Sequence, residues 1–475
     1  MRRNYSATKI IATLGPASSS KDVLRQLIEA GVDVFRLNFS HASYESLIAV
    51  IKLIRELNEE LDVHVALLAD LQGPKIRIGE VENNGIMLVE GHEMLITNEK
   101  CIGTVDKVYL SYSCFASDVA IGDFVLVDDG KLKLEVIDTN KKDLVKVKVV
   151  YGGKLSSKKG VNLPNTKISL PSLTEKDIED LNFALEQDVD WVALSFVRNV
   201  GDILDIKERI KQSKKHAKVI AKIEKPEALN DLEQIIDMTN AVMIARGDLG
   251  VEIPFDQVPV IQKMIVDKCI ELSKPVIIAT QMMESMIDAF RPTRAEATDV
   301  ANAVMQGADC LMLSGETSVG KYPVEVIKAM QQIINFAEEK AFSFNRHHPP
   351  MEFSKTFLPD SICSSAVELA TQANAKAIIT FTYSGYTALH IAGHRPKAEV
   401  FAFTRNKELL SKFSLVWGVT AFYYDGIEST DESIAYSIKF LKEKGLLADQ
   451  DIVVHVASTP LSKKGQTNMM KLSYV

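Results

Sequence analysis

Short apolar segments alternate with longer amphipathic segments over most of this 475-residue chain, which limits the folds open to it. Apolar runs of about four to eight residues predict buried strands, and apolar residues at helical spacing predict helices. The strands predicted in this way are Lys9–Leu14, Val32–Leu37, Val63–Ala69, Trp191–Phe196, Val219–Ile223, Ala241–Ala245, Pro275–Thr280 and Cys310–Ser314. Predicted helices between them include Lys21–Ala30, Ser43–Glu59, Val258–Leu272 and Arg294–Met305. Eight strand–helix units are the number that closes into a TIM barrel; a doubly wound open sheet is the alternative.

An all-β stretch interrupts the alternation after the third strand and predicts an inserted domain. Its predicted strands are Met87–Thr97, Phe124–Val127, Leu132–Ile137 and Leu144–Val150, and the sequence Asp-Asp-Gly at 128–130 predicts a hairpin turn. We expect an α/β protein in which residues 1–72 and 171–342 form the TIM barrel and residues 73–170 form a small inserted β-barrel domain. Residues 343–357 have the composition of a linker, and residues 358–475 are expected to form a carboxy-terminal α/β domain.

The third domain is predicted from a second alternation of strands and helices. Its predicted helices are Asp360–Ala373, Tyr386–Gly393 and Ser433–Lys444, and its predicted strands are Ala377–Thr382, Glu399–Thr404, Val416–Tyr423 and Ile452–Val456.

Composition and charge argue against several classes of protein. The chain has 55 Lys and Arg residues against 63 Asp and Glu residues, a formal net charge of −8, and no basic block. A nucleic-acid partner needs a basic face, so we expect none. No apolar run reaches the length of a membrane span and no apolar signal core precedes the first strand, so we expect a cytoplasmic protein. The five cysteines lack the spacing of metal ligands, which favours reduced thiols.

Polar side chains follow seven of the eight predicted barrel strands. They are Arg36 to His41, Asp70, Ser195 to Arg198, Lys222 and Glu224, Arg246 to Asp248, Thr280 and Gln281, and Ser314 to Glu316. Taken singly, each is more simply read as a turn or a helix cap. In a TIM barrel, however, the chemistry lies at the carboxyl ends of the strands, so seven such ends together predict a site.

These residue types favour phosphoryl transfer. Glu224 and Asp248 offer hard oxygen ligands of the kind that hold Mg²⁺. Arg36, Arg77 and Lys222 offer the fixed positive charge that a migrating phosphoryl group requires. No Cys–His or Ser–His pair stands in the same places, which disfavours covalent acyl chemistry.

Motifs along the chain resemble, in order, those of the pyruvate kinase family. They are TKIIATLGPA at 8–17, RLNFSH at 36–41, KKGVNLP at 158–164, AKIE at 221–224, ARGDLGVE at 245–252, ATQM at 279–282 and SGET at 314–317. The resemblance covers nearly the whole chain. It implies transfer of the phosphoryl group of phosphoenolpyruvate to ADP, giving pyruvate and ATP, with Mg²⁺ or Mn²⁺ as the cofactor.

The resemblance also implies roles for particular residues. Lys222 would stabilise the transferring phosphoryl group and the enolate oxygen, Glu224 and Asp248 would hold the divalent ion, and Arg36 would bind the phosphate. The main-chain N–H groups of Gly247 and Asp248, with the Thr280 hydroxyl, would bind the substrate carboxylate. Thr280 and Ser314 would supply the proton to enolpyruvate. Pro16, Asn38, His41, Arg77 and Lys159 would line the nucleotide site, and the insert would close over it as a lid, with Asp128 or Asp129 as a contact.

A monovalent-cation site is implied at Asn38, Ser40, Asp70 and the Leu71 carbonyl. The segment DLQGPK at 70–75 differs from the potassium-dependent pattern, which has Thr-Lys at 71–72 and Glu at position 75. The Lys75 ammonium would replace the ion, so we expect activity without K⁺. A surface lysine with no such role is the alternative.

A second anion site is expected in the third domain. Thr382, Ser384 and Thr387 lie between a strand and a helix, where hydroxyl and N–H groups bind anions such as a sugar-phosphate or nucleotide effector; an ordinary capping turn is the alternative. Lys463 and Lys464, on the distal loop, would be its partners. The resemblance implies a homotetramer. Two other functions stay open at this point: a magnesium-dependent TIM-barrel lyase or aldolase on pyruvate-like substrates, and a non-catalytic effector-binding relative.

Overall fold

Eight parallel strands close into a barrel in the computed structural model, which describes residues 6–40, 42–164, 166–346, 348–350, 352, 354–426, 429–459 and 467–475. The strands are Lys9–Thr13, Val34–Asn38, Ala66–Asp70, Trp191–Leu194, Lys218–Ile223, Ala241–Ala245, Val276–Ala279 and Cys310–Leu313. Each pairs with its neighbours in chain order, and the eighth pairs with the first through Lys9 opposite Cys310. The predicted TIM barrel is therefore confirmed, and the open sheet is excluded.

Helices surround the barrel, and local capping defines where they begin. They are Lys21–Ala30, Tyr44–Leu61, Glu175–Glu186, Val200–Gln212, Glu227–Asn230, Leu232–Met238, Arg246–Glu252, Val258–Glu271, Arg294–Gln306, Gly315–Ser318 and Pro323–Lys340, with a 3₁₀ turn at Glu284–Ile287. Ser20 accepts the Val23 N–H at the start of the first helix, and Thr174 and Thr293 open capping boxes at two others. Of the described helices, none has both the length and the apolar character to cross a membrane.

The insert is a six-stranded sheet with a separate two-stranded ribbon. Its strands are Ile86–Leu88, Glu93–Thr97, Lys107–Tyr109, Phe124–Val127, Leu132–Thr139, Leu144–Tyr151, Gly153–Leu155 and Val161–Asn162, with helix Phe115–Asp118 and a 3₁₀ turn at Glu82–Asn84. Single bridges from Arg77 to Gly160 and from Ile78 to Leu110 connect its two edges. The prediction of one strand over Met87–Thr97 is wrong, because a turn at Gly91 (φ +82°) divides it. The domain boundaries given above stay a prediction.

The third domain is a five-stranded sheet covered by helices. In spatial order its strands are Val419–Tyr423, Glu399–Thr404, Ala377–Phe381, Ile452–Ala457 and the antiparallel edge strand Met469–Tyr474, which the sequence did not predict. Its helices are Phe357–Gln372, Tyr386–Gly393, Lys407–Lys412 and Thr430–Glu443, with a 3₁₀ turn at Phe413–Leu415. The strand predicted from Val416 begins only at Val419, because residues 416–418 form the contact with the barrel.

Leu415 of the third domain inserts into the interior of the barrel. It is fully buried and packs in one cluster with strand residues such as Ile11, Ala66 and Ile220. Next to it, the Trp417 N–H donates to Asp309 Oδ1 at 3.0 Å. The third domain therefore closes the amino-terminal end of the barrel, opposite the end where the strands deliver their polar residues.

His455 predicts a pH dependence of stability in the third domain. It is fully buried, and neither ring nitrogen has a hydrogen-bond partner among the described residues. Burial, with a smaller effect of the Lys471 charge, lowers the pKa of His455 from 6.5 to about 4. The unfolded chain therefore takes up a proton here before the folded chain does. The free energy of unfolding should fall as pH drops from about 6.5 towards 4, by up to about 1.4 kcal/mol per pH unit.

The variant His455→Leu should remove this slope. Hydrogen exchange of the strand Ile452–Ala457 in variant and wild type, compared at equal pH, measures it. At pH 5 the variant strand should be the better protected of the two, and at pH 7.5 the difference should shrink. His216→Leu, at an exposed position, is the control. An equal pH slope in wild type and His455→Leu would contradict the expectation.

Candidate active site at the carboxyl ends of the barrel strands

A buried network of ion pairs lies at the mouth of the barrel. Lys222 Nζ, at the end of the fifth strand, is 3.3 Å from Asp70 Oδ1 and 2.9 Å from Glu224 Oε1. Arg36 Nε, from the second strand, donates to Asp70 Oδ2 at 2.6 Å. Lys222, Glu224 and Asp70 are at most 9% exposed. The structure thus brings together residues from three strands that the sequence placed only at their ends.

The charges in this network determine one another's protonation. Burial alone would lower the pKa of Lys222, but the charges of Asp70 and Glu224 outweigh it, and the pKa is raised. Burial would raise the pKa of Asp70, but Lys222 and Arg36 reverse this and lower it. Lys222 is therefore a permanent ammonium and Asp70 a permanent carboxylate at neutral pH.

Glu224 and Asp248 form a carboxylate pair that suits a divalent cation. Burial, with a contribution from the Asp248 charge, raises the pKa of Glu224 even though Lys222 opposes the rise. The Phe196 N–H donates to Glu224 Oε2 at 2.7 Å and orients the carboxylate. A divalent cation would offset the burial and the repulsion that raise this pKa, so the donor set fits Mg²⁺ or Mn²⁺. Within the described ranges, no group of three or more His, Cys, Asp or Glu side chains is arranged to hold a metal.

Gly247 and Thr280 meet across the ends of the sixth and seventh strands. The Gly247 N–H donates to Thr280 Oγ1 at 2.7 Å, and a Cβ at Gly247 would lie only 3.3 Å from that oxygen. Thr280 and Gln281 both have left-handed backbone, with φ of +69° and +52°. Non-glycine residues avoid this region, so the surrounding structure must hold them there.

Arg246 holds this strained segment, a role the sequence analysis missed. Its Nη2 donates to the Thr280 carbonyl at 2.9 Å and pairs with Asp299 at 2.7 Å. The arginine was visible in the motif at 245–252, but its target is a backbone carbonyl in left-handed conformation, which no residue pattern reveals.

Ser314 lies after the eighth strand, close to the loop that follows the seventh. Its N–H donates to Glu316 Oε2 at 2.7 Å, and Glu316 Oε1 accepts the Met283 N–H at 3.2 Å. The buried Glu316 thus connects the loops that carry Ser314 and Thr280. The Ser314 hydroxyl has no hydrogen bond to the described part of the chain, so it is available to a ligand.

The residues predicted to line the nucleotide site are divided between the barrel and the insert. Pro16 is exposed after the first barrel strand, and Asn38 ends the second. Arg77 and Lys159 lie on the insert, where Arg77 Nη1 donates to the Lys158 carbonyl at 3.2 Å. His41, also predicted here, lies outside the described residues.

The predicted monovalent-cation residues already have partners within the chain. Asn38 Oδ1 accepts the Ser40 N–H at 3.1 Å, and the Leu71 carbonyl accepts the Ser195 hydroxyl at 2.7 Å. Asp70 is paired with two cations, as described above. Lys75 is exposed, lines the cleft beside the insert, and has no ion pair with any residue that the structure describes.

A cleft separates the insert from the barrel, with Lys75, Asp129 and Asp248 among its lining residues. The insert contacts the barrel at one edge of this cleft. Asn162 Nδ2 donates to Glu252 Oε1 at 2.9 Å, and Lys225 Nζ is 2.7 Å from the same oxygen.

The hairpin turn of the insert reaches the same barrel helix. A Cβ at Gly130 would lie 3.8 Å from Val251. Asp128 pairs with Lys159 at 2.9 Å, whereas Asp129 faces the cleft. Asp129 is therefore the better placed of the two for contact with a ligand.

The predicted anion site lies at a switch point of the third domain's sheet. Strand Ala377–Phe381 has Glu399–Thr404 on one side and Ile452–Ala457 on the other, and crevices at such points bind ligands. Thr382 Oγ1 accepts the Gly385 N–H at 3.0 Å, and the buried Thr387 hydroxyl is 2.7 Å from that of Thr467. Ser384 is exposed on the turn between them. Lys463 and Lys464 lie outside the described residues.

Comparison with known proteins gives consistent matches over the whole chain. Family models described as pyruvate kinase, barrel domain, and pyruvate kinase, alpha/beta domain, match residues 5–327 and 360–473. Pyruvate kinase 2 of Synechocystis sp. is 43% identical over 98% of this chain and 79% of its own length. The pyruvate kinase of Geobacillus stearothermophilus is 42% identical over 98% and 80%. A crystal structure of a pyruvate kinase from Cryptosporidium parvum has a TM-score of 0.91, with 34% identity, and covers 99% of this chain and 96% of its own.

Asn162 should control how firmly the insert is held against the barrel. Asn162→Ala removes a hydrogen bond to a buried carboxylate, which contributes about 1–3 kcal/mol. Hydrogen exchange in the hairpin at 127–132 and in helix Arg246–Glu252 should then be about tenfold faster. Asn98→Ala is the control, because Asn98 Nδ2 donates at 3.1 Å to a carbonyl within the insert. Equal protection in both variants would contradict the expected role.

Proposed function

Since the chain belongs to the pyruvate kinase family, it is an enzyme of that type, and we propose that its barrel mouth transfers the phosphoryl group of phosphoenolpyruvate to ADP with a divalent cation at Glu224 and Asp248. The observation that carries this proposal is the buried Lys222 ammonium, which lies within 3.3 Å of Asp70 and within 2.9 Å of Glu224. Because the family is known, the two alternative functions, a lyase or aldolase and a non-catalytic relative, are excluded.

Lys222 stabilises the charge of the moving phosphoryl group. Its ammonium is fixed before substrate arrives, so no reorganisation is needed when charge develops on the phosphoryl and enolate oxygens. Arg36 adds a second positive charge from the second barrel strand and binds the substrate phosphate. Asp70 pairs with both cations and keeps them at fixed separation, because Arg36 Nε and Lys222 Nζ contact different oxygens of its carboxylate.

Mg²⁺ or Mn²⁺, when bound by Glu224 and Asp248, supplies Lewis-acid charge to the substrate oxygens. The Asp248 N–H, at the start of a helix, binds the substrate carboxylate, and the Gly247 N–H joins it by leaving Thr280 Oγ1. The Thr280 hydroxyl stands beside them and, with Ser314, directs the proton to the carbon of enolpyruvate. Arg246 keeps Thr280 in place through its carbonyl.

The nucleotide occupies the space between barrel and insert in this proposal. Pro16, Asn38 and His41 contact it from the barrel, and Arg77 and Lys159 neutralise its phosphates from the insert. Asp129 faces the same cleft, and the contact of Asn162 with Glu252 holds the insert over it, which excludes water from the transfer.

We further infer an effector site and an oligomer. The Thr382 and Ser384 turn, with the buried Thr387 behind it, suits the phosphate of a sugar phosphate or a nucleotide, because it lies at a sheet switch point and a helix N-terminus. Phe255 and Val260 are 84% and 71% exposed on and next to one barrel helix. Packing between copies of the chain would bury these apolar side chains, and on this ground we propose a homotetramer. The proposed location is the cytoplasm.

Lys222→Met tests the central role. The variant should lower kcat by about 10³-fold or more, because it removes charge that acts in the transition state. Binding of Mn²⁺, followed by water proton relaxation, should be equal or tighter, since an opposing positive charge has gone. Lys218→Met is the matched control, because Lys218 lies at the other end of the same strand and should retain nearly full turnover. Near-normal turnover in Lys222→Met would refute the assignment.

Activity should not need potassium if the Lys75 ammonium takes the place of the ion. In tetramethylammonium buffer, addition of potassium chloride should change kcat by less than about twofold. Lys75→Glu should create potassium stimulation of tenfold or more, and Lys142→Glu, an exposed change within the insert, should not. Strong potassium stimulation of the wild type would refute this proposal.

A further inference from the structure

Ser195 makes two hydrogen bonds that join the catalytic lysine to another part of the chain. Lys222 Nζ donates to Ser195 Oγ at 2.7 Å, and the Ser195 hydroxyl donates to the Leu71 carbonyl at 2.7 Å. Ser195 is 1% exposed, so water does not compete for either bond. The position of the ammonium and that of residue 71 are therefore linked through one hydroxyl group.

Phe196, the next residue, makes the equivalent connection to Glu224. Its N–H donates to Glu224 Oε2, and its backbone is left-handed with φ +54°. This conformation costs a phenylalanine on the order of 1 kcal/mol, and such costs persist where the geometry is needed. Ser195 and Phe196 together thus orient both members of the Lys222–Glu224 pair.

The same two residues pack against the segment through which the chain enters the insert. Gly73 is buried with φ +70°, and a Cβ there would lie 2.8 Å from the Phe196 ring and 2.9 Å from Ser195 Cβ. The Gly73 N–H donates to Asp177 Oδ1 at 3.0 Å. Leu71 to Gly73 therefore cannot shift without disturbing Ser195, Phe196 or both.

A serine buried only for packing would need one partner for its hydroxyl. Ser195 instead accepts from a charged donor and donates to a carbonyl that lies two residues before Gly73. Lys222 has two carboxylate partners, Asp70 on the third strand and Glu224 at the end of its own strand, so its charge is compensated without the serine. The additional hydrogen bond from Lys222 to Ser195 therefore orients the ammonium and is not needed to neutralise its charge.

We propose that Ser195 is a positioning residue for phosphoryl transfer, which holds the Lys222 ammonium in register with the entry segment of the insert, Leu71 to Gly73. The inference rests on the proposed function. It adds that the position of the insert determines the position of the Lys222 ammonium, through Leu71 and Ser195. Movement of the insert then changes the alignment of Lys222 as well as access to the cleft.

The first test compares kcat with KM. Ser195→Ala should lower kcat by about 10- to 100-fold and change KM for phosphoenolpyruvate and ADP by less than about threefold, because the ammonium stays charged but loses its alignment. Ser437→Ala is the matched control, since Ser437 is equally buried and its hydroxyl donates to the Ile434 carbonyl within a helix of the third domain. It should retain kcat within twofold. A wild-type kcat in Ser195→Ala overturns the proposal.

The second test examines the link to the entry segment. Asp177→Asn weakens the contact with Gly73 and should lower kcat severalfold in the wild-type background. In the Ser195→Ala background the same change should have little further effect, because the link is already broken. Independent, multiplying effects of the two changes overturn the proposed route. If Ser195→Ala does not fold, Ser195→Cys, a weaker acceptor of similar volume, replaces it, and an intermediate kcat supports the proposal while an unchanged one overturns it.

The wild-type rate separates this inference from the proposed function. Absence of ATP formation from phosphoenolpyruvate and ADP in the wild type, measured first, overturns the proposed function and this inference with it. An active wild type with an unaffected Ser195→Ala variant overturns the positioning role alone.

Discussion

The shared pairing of Asp70 with Arg36 and Lys222 is the interaction on which the barrel mouth depends. Lys222 and two carboxylates are buried there beside the partly buried Arg36, and burial of any one of them unpaired would cost several kcal/mol. The closed barrel makes the pairing possible, because it brings the carboxyl ends of its second, third and fifth strands to one place. The network therefore requires the complete barrel. The stability of the fold must offset the free energy that is lost when these charges are removed from water.

Much of the fold could be predicted because it follows from local patterns. The strand Ala241–Ala245 and the helix Lys21–Ala30 have the bounds that their apolar periodicity predicted. The edge strand Met469–Tyr474 was missed because it alternates poorly and has exposed residues on both faces. The break near Gly91 was missed because the apolar residues on its two sides were joined into one strand, although Glu-Gly-His-Glu at 90–93 interrupts them.

The charged residues of the candidate site could be predicted from the sequence, whereas the residues that hold them in position mostly could not. Acidic and basic residues at many strand ends indicated where chemistry lies, because a barrel brings those ends together at one mouth. Arg246, Phe196 and Ser195 act through backbone groups, and two of these contacts involve residues with positive φ. Sequence patterns record side-chain types, whereas these contacts depend on backbone geometry that only the assembled barrel defines.

Leu415 occupies the floor of the barrel, and this position has a consequence for how the protein can change. A barrel cut free of the third domain would have an open, apolar hole where that side chain stood, lined by residues such as Ile11 and Ile220. If third domains were exchanged between relatives, the new domain would need a side chain of matching size at the position of Leu415. The barrel and the third domain are therefore expected to evolve together. A substitution that changes the volume of a barrel residue in contact with Leu415 requires a compensating change in a segment more than a hundred residues away.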